Sequence, residues 1–171
     1  MRLLVLAGAW LGAVAPAAAL ELSLPVDCTI GTDCAVQHYF VRDASDGTAD
    51  YMCGHQTYDG HDGLDIRVPD LAAMARGVAV IAAAPGTVRA TRDGMADVNV
   101  AEAGFESVAN VECGNGVMVD HNGGWATQYC HLKEGSIAVR RGDRVETGTK
   151  LGEIGLSGMT EFPHVHLSVY R

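Results

Sequence analysis

Phe162-Pro163-His164-Val165-His166-Leu167-Ser168-Val169 sets two histidines one residue apart in a run of alternating apolar positions. On an extended strand, residues two apart point to the same face about 6.5 Å from one another. His164 and His166 can therefore line one cleft, one as a metal ligand and one beside it. About a hundred residues earlier stands His61-Asp62-Gly63-Leu64-Asp65. Along a straight strand His61 and Asp65 would be about 13 Å apart, too far to share an ion. A helix would bring them together, but Gly60 and Gly63 argue against one, so a turn at Gly63 is expected to close the distance. Two imidazoles and one carboxylate, with a fourth position left to water, form the ligand set of a catalytic rather than a structural zinc.

The remaining periodicity is that of strands. Val78, Val80 and Ala82 alternate, Thr87, Arg89 and Thr91 follow a Pro-Gly turn, and Val117, Val119, Thr127, Tyr129 and Leu151 extend the pattern. Short strands among 21 glycines point to a barrel or sandwich. One short helix is predicted over Pro69 to Arg76, stopped by Gly77, and residues 92–112 lack a period and read as a long surface loop. Strands at Gly116 to His121 and Trp125 to Leu132 make a hairpin through Asn122-Gly123-Gly124, which brings Cys113 and Cys130 near each other. That bridge would contribute roughly 3 kcal/mol in the chain-entropy model and would brace the Thr127-Tyr129-His131 face. Partners among Cys28, Cys34 and Cys53 stay open.

The 171 residues, 48% apolar and 19% charged, suit one globular domain. Met1-Arg2, an apolar run to Val14 and Pro16-Ala17-Ala18-Ala19 read as a secretory signal peptide over 1–19, which predicts an exported chain, periplasmic or secreted, with no membrane span after cleavage. Five cysteines without a Cys-x-x-Cys pair favour disulfides in such a compartment. The net charge of −9, one unit more negative once Arg2 is removed with the signal, disfavours nucleic acid as a partner, and none is expected.

His61-Asp62-Gly63-Leu64-Asp65, then Tyr129-Cys130-His131-Leu132, then His164-Val165-His166 resemble, in order, the motifs of the lysostaphin-like zinc endopeptidases, the M23 peptidase family. Ala84-Pro85-Gly86-Thr87-Val88, Gly114 to His121, and Gly142-Asp143-Arg144-Val145 through Gly152 add to the likeness, which covers residues 56–171. Residues 20–55 are read as an N-terminal extension packed on that core. The resemblance implies an all-β fold, a small antiparallel sheet or flattened barrel of the duplicated-hybrid-motif type with loops walling a groove. It also implies one Zn2+ per chain on His61, Asp65 and His166, with His131 and His164 as unligated catalytic residues. The implied activity is hydrolysis of peptide bonds in peptidoglycan, with room for a protein regulator. The alternatives are a non-catalytic M23-like module that activates a cell-wall amidase, although such relatives usually lack the ligands this chain keeps, and a phosphotransferase-type carrier, which export argues against.

His38 and His55 are expected to be loop residues and His121 a non-ligand before the hairpin turn. Gly155-Leu156-Ser157-Gly158 is read as a loop rather than a nucleophile elbow. Where the family often has Phe-Glu after His-x-His, this chain has Leu167-Ser168. The family usually continues beyond the point equivalent to Arg171, so a domain shortened at its C-terminal end is expected.

Overall fold

Residues along β9 (His164–Tyr170) divide between two faces, as the alternation requires. Val165 and Leu167 enter the core, while His164, His166 and Ser168 share the opposite face. In the computed structural model, which describes residues 19–45 and 47–171, β9 lies between β2 (Gly63–Arg67) and β6 (Ala126–Leu132), antiparallel to both. Flanking strands are β1 (Ala35–His38) beyond β2, and β5 (Asn115–Asp120), β4 (Gly86–Arg92) and β7 (Arg144–Val145) beyond β6. The result is an open seven-stranded antiparallel sheet with the order β1-β2-β9-β6-β5-β4-β7. A second pair, β3 (Ala79–Ile81) with β8 (Lys150–Glu153), completes the strands among the described residues. The architecture is the expected small antiparallel sheet, not closed into a barrel. The expected signal peptide lies, but for residue 19, outside the described residues, and no described helix is long and apolar enough to cross a membrane.

One face of the sheet packs Ile66, Val165, Leu167, Val117, Val119, Val88 and Tyr129 against Val80, Ala82, Ala83, Leu151 and Ile154. Full burial of an aliphatic side chain of this kind stabilises by about 1.5–3 kcal/mol. Tyr129 is wholly buried, and its hydroxyl is satisfied by accepting from the Ala83 amide at 2.8 Å and from Thr127 Oγ1 at 3.2 Å.

The hairpin and the short helix form where the turn chemistry predicts. α1 (Leu71–Arg76) is capped by Asp70, whose carboxylate accepts from the Ala73 amide at 2.7 Å, and ends at Gly77. Cys113 and Cys130 are bridged, as are Cys28 and Cys34, leaving Cys53 free and exposed. Residues 92–112 differ from the expected surface loop. They contain α2 (Val100–Ala103) and a 3-10 turn at Phe105–Val108, which bury Val100 and Val108. Segments of four residues are too short to display helical periodicity, and their ordering comes from Asn99, which caps α2, and from tertiary burial.

Replacing Tyr129 by Phe leaves the Ala83 amide buried without its acceptor, which costs about 1–3 kcal/mol. The expected outcome in urea denaturation is a lower midpoint with an unchanged slope.

Candidate metal centre

β2 and β9 bring the first three residues of the site together by register alone. Asp65 pairs with His166 across the two strands, so their side chains share the face away from the core. His166 Nδ1 lies 2.8 Å from Asp65 Oδ1. His61 precedes β2 and reaches Asp65 Oδ2 through Nε2 at 3.1 Å. The turn that permits this is not at Gly63. It lies at Asp59-Gly60, where Gly60 has φ 75° and the His61 amide donates to the Tyr58 carbonyl. Gly63 serves a different need inside β2: a Cβ there would stand 2.5 Å from His166 Nε2 and 2.6 Å from the Leu167 carbonyl oxygen. Only a bare Cα lets the His166 ring lie over the strand.

His131 arrives differently from the expectation. Thr127 and Tyr129 face the core, so strict alternation would bury His131 on that side, away from His166. Between β5 and β6 the register slips, with Val117 opposite Tyr129 but Asn115 opposite Leu132, and His131 takes φ 61°. This bulge turns the ring into the cleft, where its centroid lies 4.7 Å from that of His164 and 6.1 Å from that of His166.

The hydrogen bonds of each ring decide which nitrogen faces inward. His61 Nδ1 donates to the Tyr39 carbonyl at 2.8 Å, leaving a lone pair on Nε2. His166 Nε2 donates to Asp62 Oδ1 at 3.1 Å, with Ser168 Oγ at 2.8 Å, leaving the lone pair on Nδ1. His61 Nε2 and His166 Nδ1 therefore face each other at 3.2 Å with the Asp65 carboxylate between them. Two lone pairs and an anion converging in this way repel unless a cation joins them. Zinc bonds of about 2.0 Å in a tetrahedron imply ligand separations of about 3.3 Å, and the two imidazole nitrogens lie 3.2 Å apart, each with one of the two Asp65 oxygens at 2.8 or 3.1 Å, close to that spacing. The residues present thus fit a zinc ion, and all three donors meet the geometry of a shared cation.

His131 and His164 are tied outward in the same way. His131 Nδ1 donates to the Ser157 carbonyl at 2.8 Å and His164 Nδ1 to that of Phe162 at 2.9 Å, so Nε2 of each points inward, that of His164 to 3.4 Å from Asp65 Oδ1. Burial, with the neighbouring His164 adding to it, holds the His131 imidazole down to about 3. Burial alone would raise the Asp65 carboxyl, but hydrogen bonds from His164, His166 and His61, in the forms in which those rings carry an inward proton, outweigh it and hold Asp65 far below the usual carboxylate range. For His61, burial acts to lower the value, and its bonds to Asp65 and the Tyr39 carbonyl turn the net direction upward.

Other residues here carry no motif and are visible only in the fold. Ser157 is buried, its hydroxyl donating to the Leu132 carbonyl and accepting from the Asn115 amide, so it holds the His131 support in place rather than acting as a nucleophile. Ser168 and Asp62 brace His166 through its Nε2. Tyr58 packs against His61 at 4.5 Å, and burial with the nearby Asp65 and Asp62 pushes its phenol up to about 12, so it stays a donor. His121 is structural, bonded to the Pro85 carbonyl and Thr127 Oγ1, and His55 sits by Thr48, outside the cluster. His38 is neither a loop residue nor part of a second site. It ends β1, with Nδ1 3.0 Å from Asp65 Oδ2.

Two depressions, of about 350 and 370 Å³, meet at this cluster and share Tyr58, His131 and Met159. One continues over Phe105, Glu161 and Phe162, the other over Asp62, Glu112 and Gln128. Together they make an open groove with the histidines at its middle.

Folding buries His131 neutral, so in the metal-free protein its contribution is fully present above the unfolded value of 6.5 and is lost as pH falls below it. Asp65 acts with the same sign only nearer pH 4, and His61 with the opposite sign at higher pH. Between pH 6.5 and 5 the unfolding free energy should drop by ~1.5 kcal/mol through His131. Urea titrations of metal-free protein check this, with the drop absent in His131→Gln.

Peptidase family M23 matches residues 59–171 of the chain. Over 109 residues the chain is 30% identical to the cell division protein DipM of Caulobacter vibrioides, covering 64% of this chain and 14% of that protein. Over 56 residues it is 36% identical to the peptidoglycan DD-endopeptidase ShyB of Vibrio cholerae, covering 33% of this chain and 13% of that one. It therefore spans only a small part of these curated relatives. In structure, the catalytic domain of the prophage-encoded M23 protein EnpA from Enterococcus faecalis superposes with a TM-score of 0.56 at 20% identity, covering 84% of this chain and 85% of that one. With more than half of its length matched, the chain belongs to peptidase family M23.

Proposed function

We propose that this chain is an exported zinc-dependent endopeptidase that hydrolyses peptide bonds in peptidoglycan. The observation that carries the reading is the convergence of five donors at the middle of an open groove. His61, Asp65 and His166 would hold one zinc, while His131 and His164 stand beside them with Nε2 turned toward the cluster. A zinc there would polarise the scissile carbonyl and lower the pKa of water toward 7. His131, neutral at pH 7 and fixed with its lone pair inward, accepts a proton from the attacking water. His164, 4.7 Å away between ring centroids, is positioned to share that proton, stabilise the oxyanion and protonate the leaving amine. Tyr58 keeps its phenolic proton and offers a further donor at the same wall. A groove with a lobe on each side suits an extended peptide crossing the cluster, and the peptidoglycan endopeptidase among the relatives supports the substrate class.

Zinc content and digestion of purified sacculi, measured on the same folded samples, test the reading. His61→Ala, Asp65→Ala and His166→Ala should each lose metal and hydrolysis. His131→Ala should keep near-parental zinc and lose hydrolysis by about 10² or more, and His164→Ala should do the same with modestly weaker zinc. Parental rates in His131→Ala would refute the mechanism, and full zinc in all three ligand variants would refute the ligand set. Zinc binding without any release of peptides from sacculi would instead identify a non-catalytic module.

A further inference from the structure

Residues 38–41, well ahead of the family-matched residues, touch His61 and Asp65 at three points. His38 Nδ1 lies 3.0 Å from Asp65 Oδ2, the Tyr39 carbonyl accepts from His61 Nδ1 at 2.8 Å, and the Val41 amide donates to the His61 carbonyl at 2.8 Å. The segment thus fixes both the ring and the backbone of one ligand and an oxygen of another.

The placement of His38 depends on an irregularity in β1. Val36 pairs with Ile66, and unbroken pairing would set Gln37 opposite Asp65 and His38 opposite Leu64, on the core face. An extra residue at this point instead sets His38 opposite Asp65. Because cross-strand partners share a face, the bulge moves the imidazole from the core side to the site side. The same device delivers His131 from β6, so each of the two site-facing bulges presents a histidine to the cluster.

We propose that His38 is a positioning residue for the zinc site, donating from Nδ1 to Asp65 Oδ2 and so fixing the orientation of the carboxylate ligand. The proposal rests on the zinc reading given above. His38 is not a fourth ligand, since the three donors that could share one ion are those of His61, Asp65 and His166. Its partner is constrained at both oxygens. Oδ1 faces His166 Nδ1 at 2.8 Å and Oδ2 faces His61 Nε2 at 3.1 Å. Without the His38 donor, the carboxylate has no hydrogen bond on that side to oppose rotation about its Cβ–Cγ bond. The side chains of Tyr58 and Phe162 flank the His38 ring at 5.3 and 6.1 Å and hold it over Asp65. An outer partner of this kind typically changes metal affinity by about 10- to 100-fold.

The test uses the full chain and four proteins: the parental protein, His38→Leu, which fills the space without a donor, His38→Asn, whose amide nitrogen takes the place of Nδ1, and Gln37→Ala as a control on the same bulge. Zinc affinity is read by competition with a chelator, folding by circular dichroism of the metal-free proteins, and ligand geometry by the visible spectrum of the cobalt-substituted forms. The expected result is a zinc affinity about 10- to 100-fold weaker in His38→Leu, with an altered cobalt spectrum and retained metal-free fold. His38→Asn should recover most of the loss, and Gln37→Ala should match the parental protein. Parental affinity and spectrum in His38→Leu would overturn the proposal, as would loss of the metal-free fold in both His38 variants, which would assign the residue to the sheet edge. A parental protein that binds no zinc would fail the functional reading itself, before any variant is compared.

Discussion

A carboxylate as deeply buried as Asp65 stays ionised only where the surrounding imidazoles offer it a proton or share a cation with it. His166, His38, His61 and His164 approach its two oxygens at 2.8, 3.0, 3.1 and 3.4 Å. Desolvation of an unpaired carboxylate costs several kcal/mol, so β1, β2, β9 and the loop before β2 must all be in register for the charge to be tolerated. This makes the site a condition of local folding as well as its product. Gly63 belongs to the same constraint, since a side chain there would push His166 off the carboxylate it pairs with.

An antiparallel sheet is a poor platform for histidines converging from several strands, because alternation sends every second side chain to the core. The fold solves this by breaking alternation where a histidine is needed. At His131 the break requires a left-handed backbone in a residue with a Cβ, which costs of order 1–3 kcal/mol. The surroundings hold it: the His131 amide donates to the Cys113 carbonyl, its carbonyl accepts from the Gly155 amide, and the Cys113–Cys130 bridge closes the strand immediately before it. The disulfide therefore bears on the geometry of the groove as well as on stability.

Three of the rings use backbone carbonyls of Tyr39, Ser157 and Phe162 as their outer partners, and each carbonyl comes from a different segment. A carbonyl accepts but cannot donate, so in the neutral ring it sets one tautomer and leaves Nε2 with its lone pair inward. Rigid strands carry the side chains and irregular segments set their protonation, a division that keeps the inward nitrogens aligned without charged neighbours that would compete for a metal.

The strand at His164 to Tyr170, the β5–β6 hairpin, the capped helix after Asp70, the Cys113–Cys130 pairing and the five cluster residues were all legible in the chain, because each follows from local periodicity, turn chemistry or spacing within a motif. The position of the turn at Gly60, the helical turns within residues 92–112, the bulge at His131 and the place of His38 came instead from packing between segments distant in the chain. A bulge leaves no mark in a hydrophobic pattern, since it arises when a neighbouring strand offers a register that one extra residue can satisfy. His38 stands in no motif, and it became a neighbour of Asp65 only when β1 paired with β2. Motifs record which groups a site needs, whereas the partners that orient those groups come from wherever the packed chain brings a donor or a carbonyl within reach.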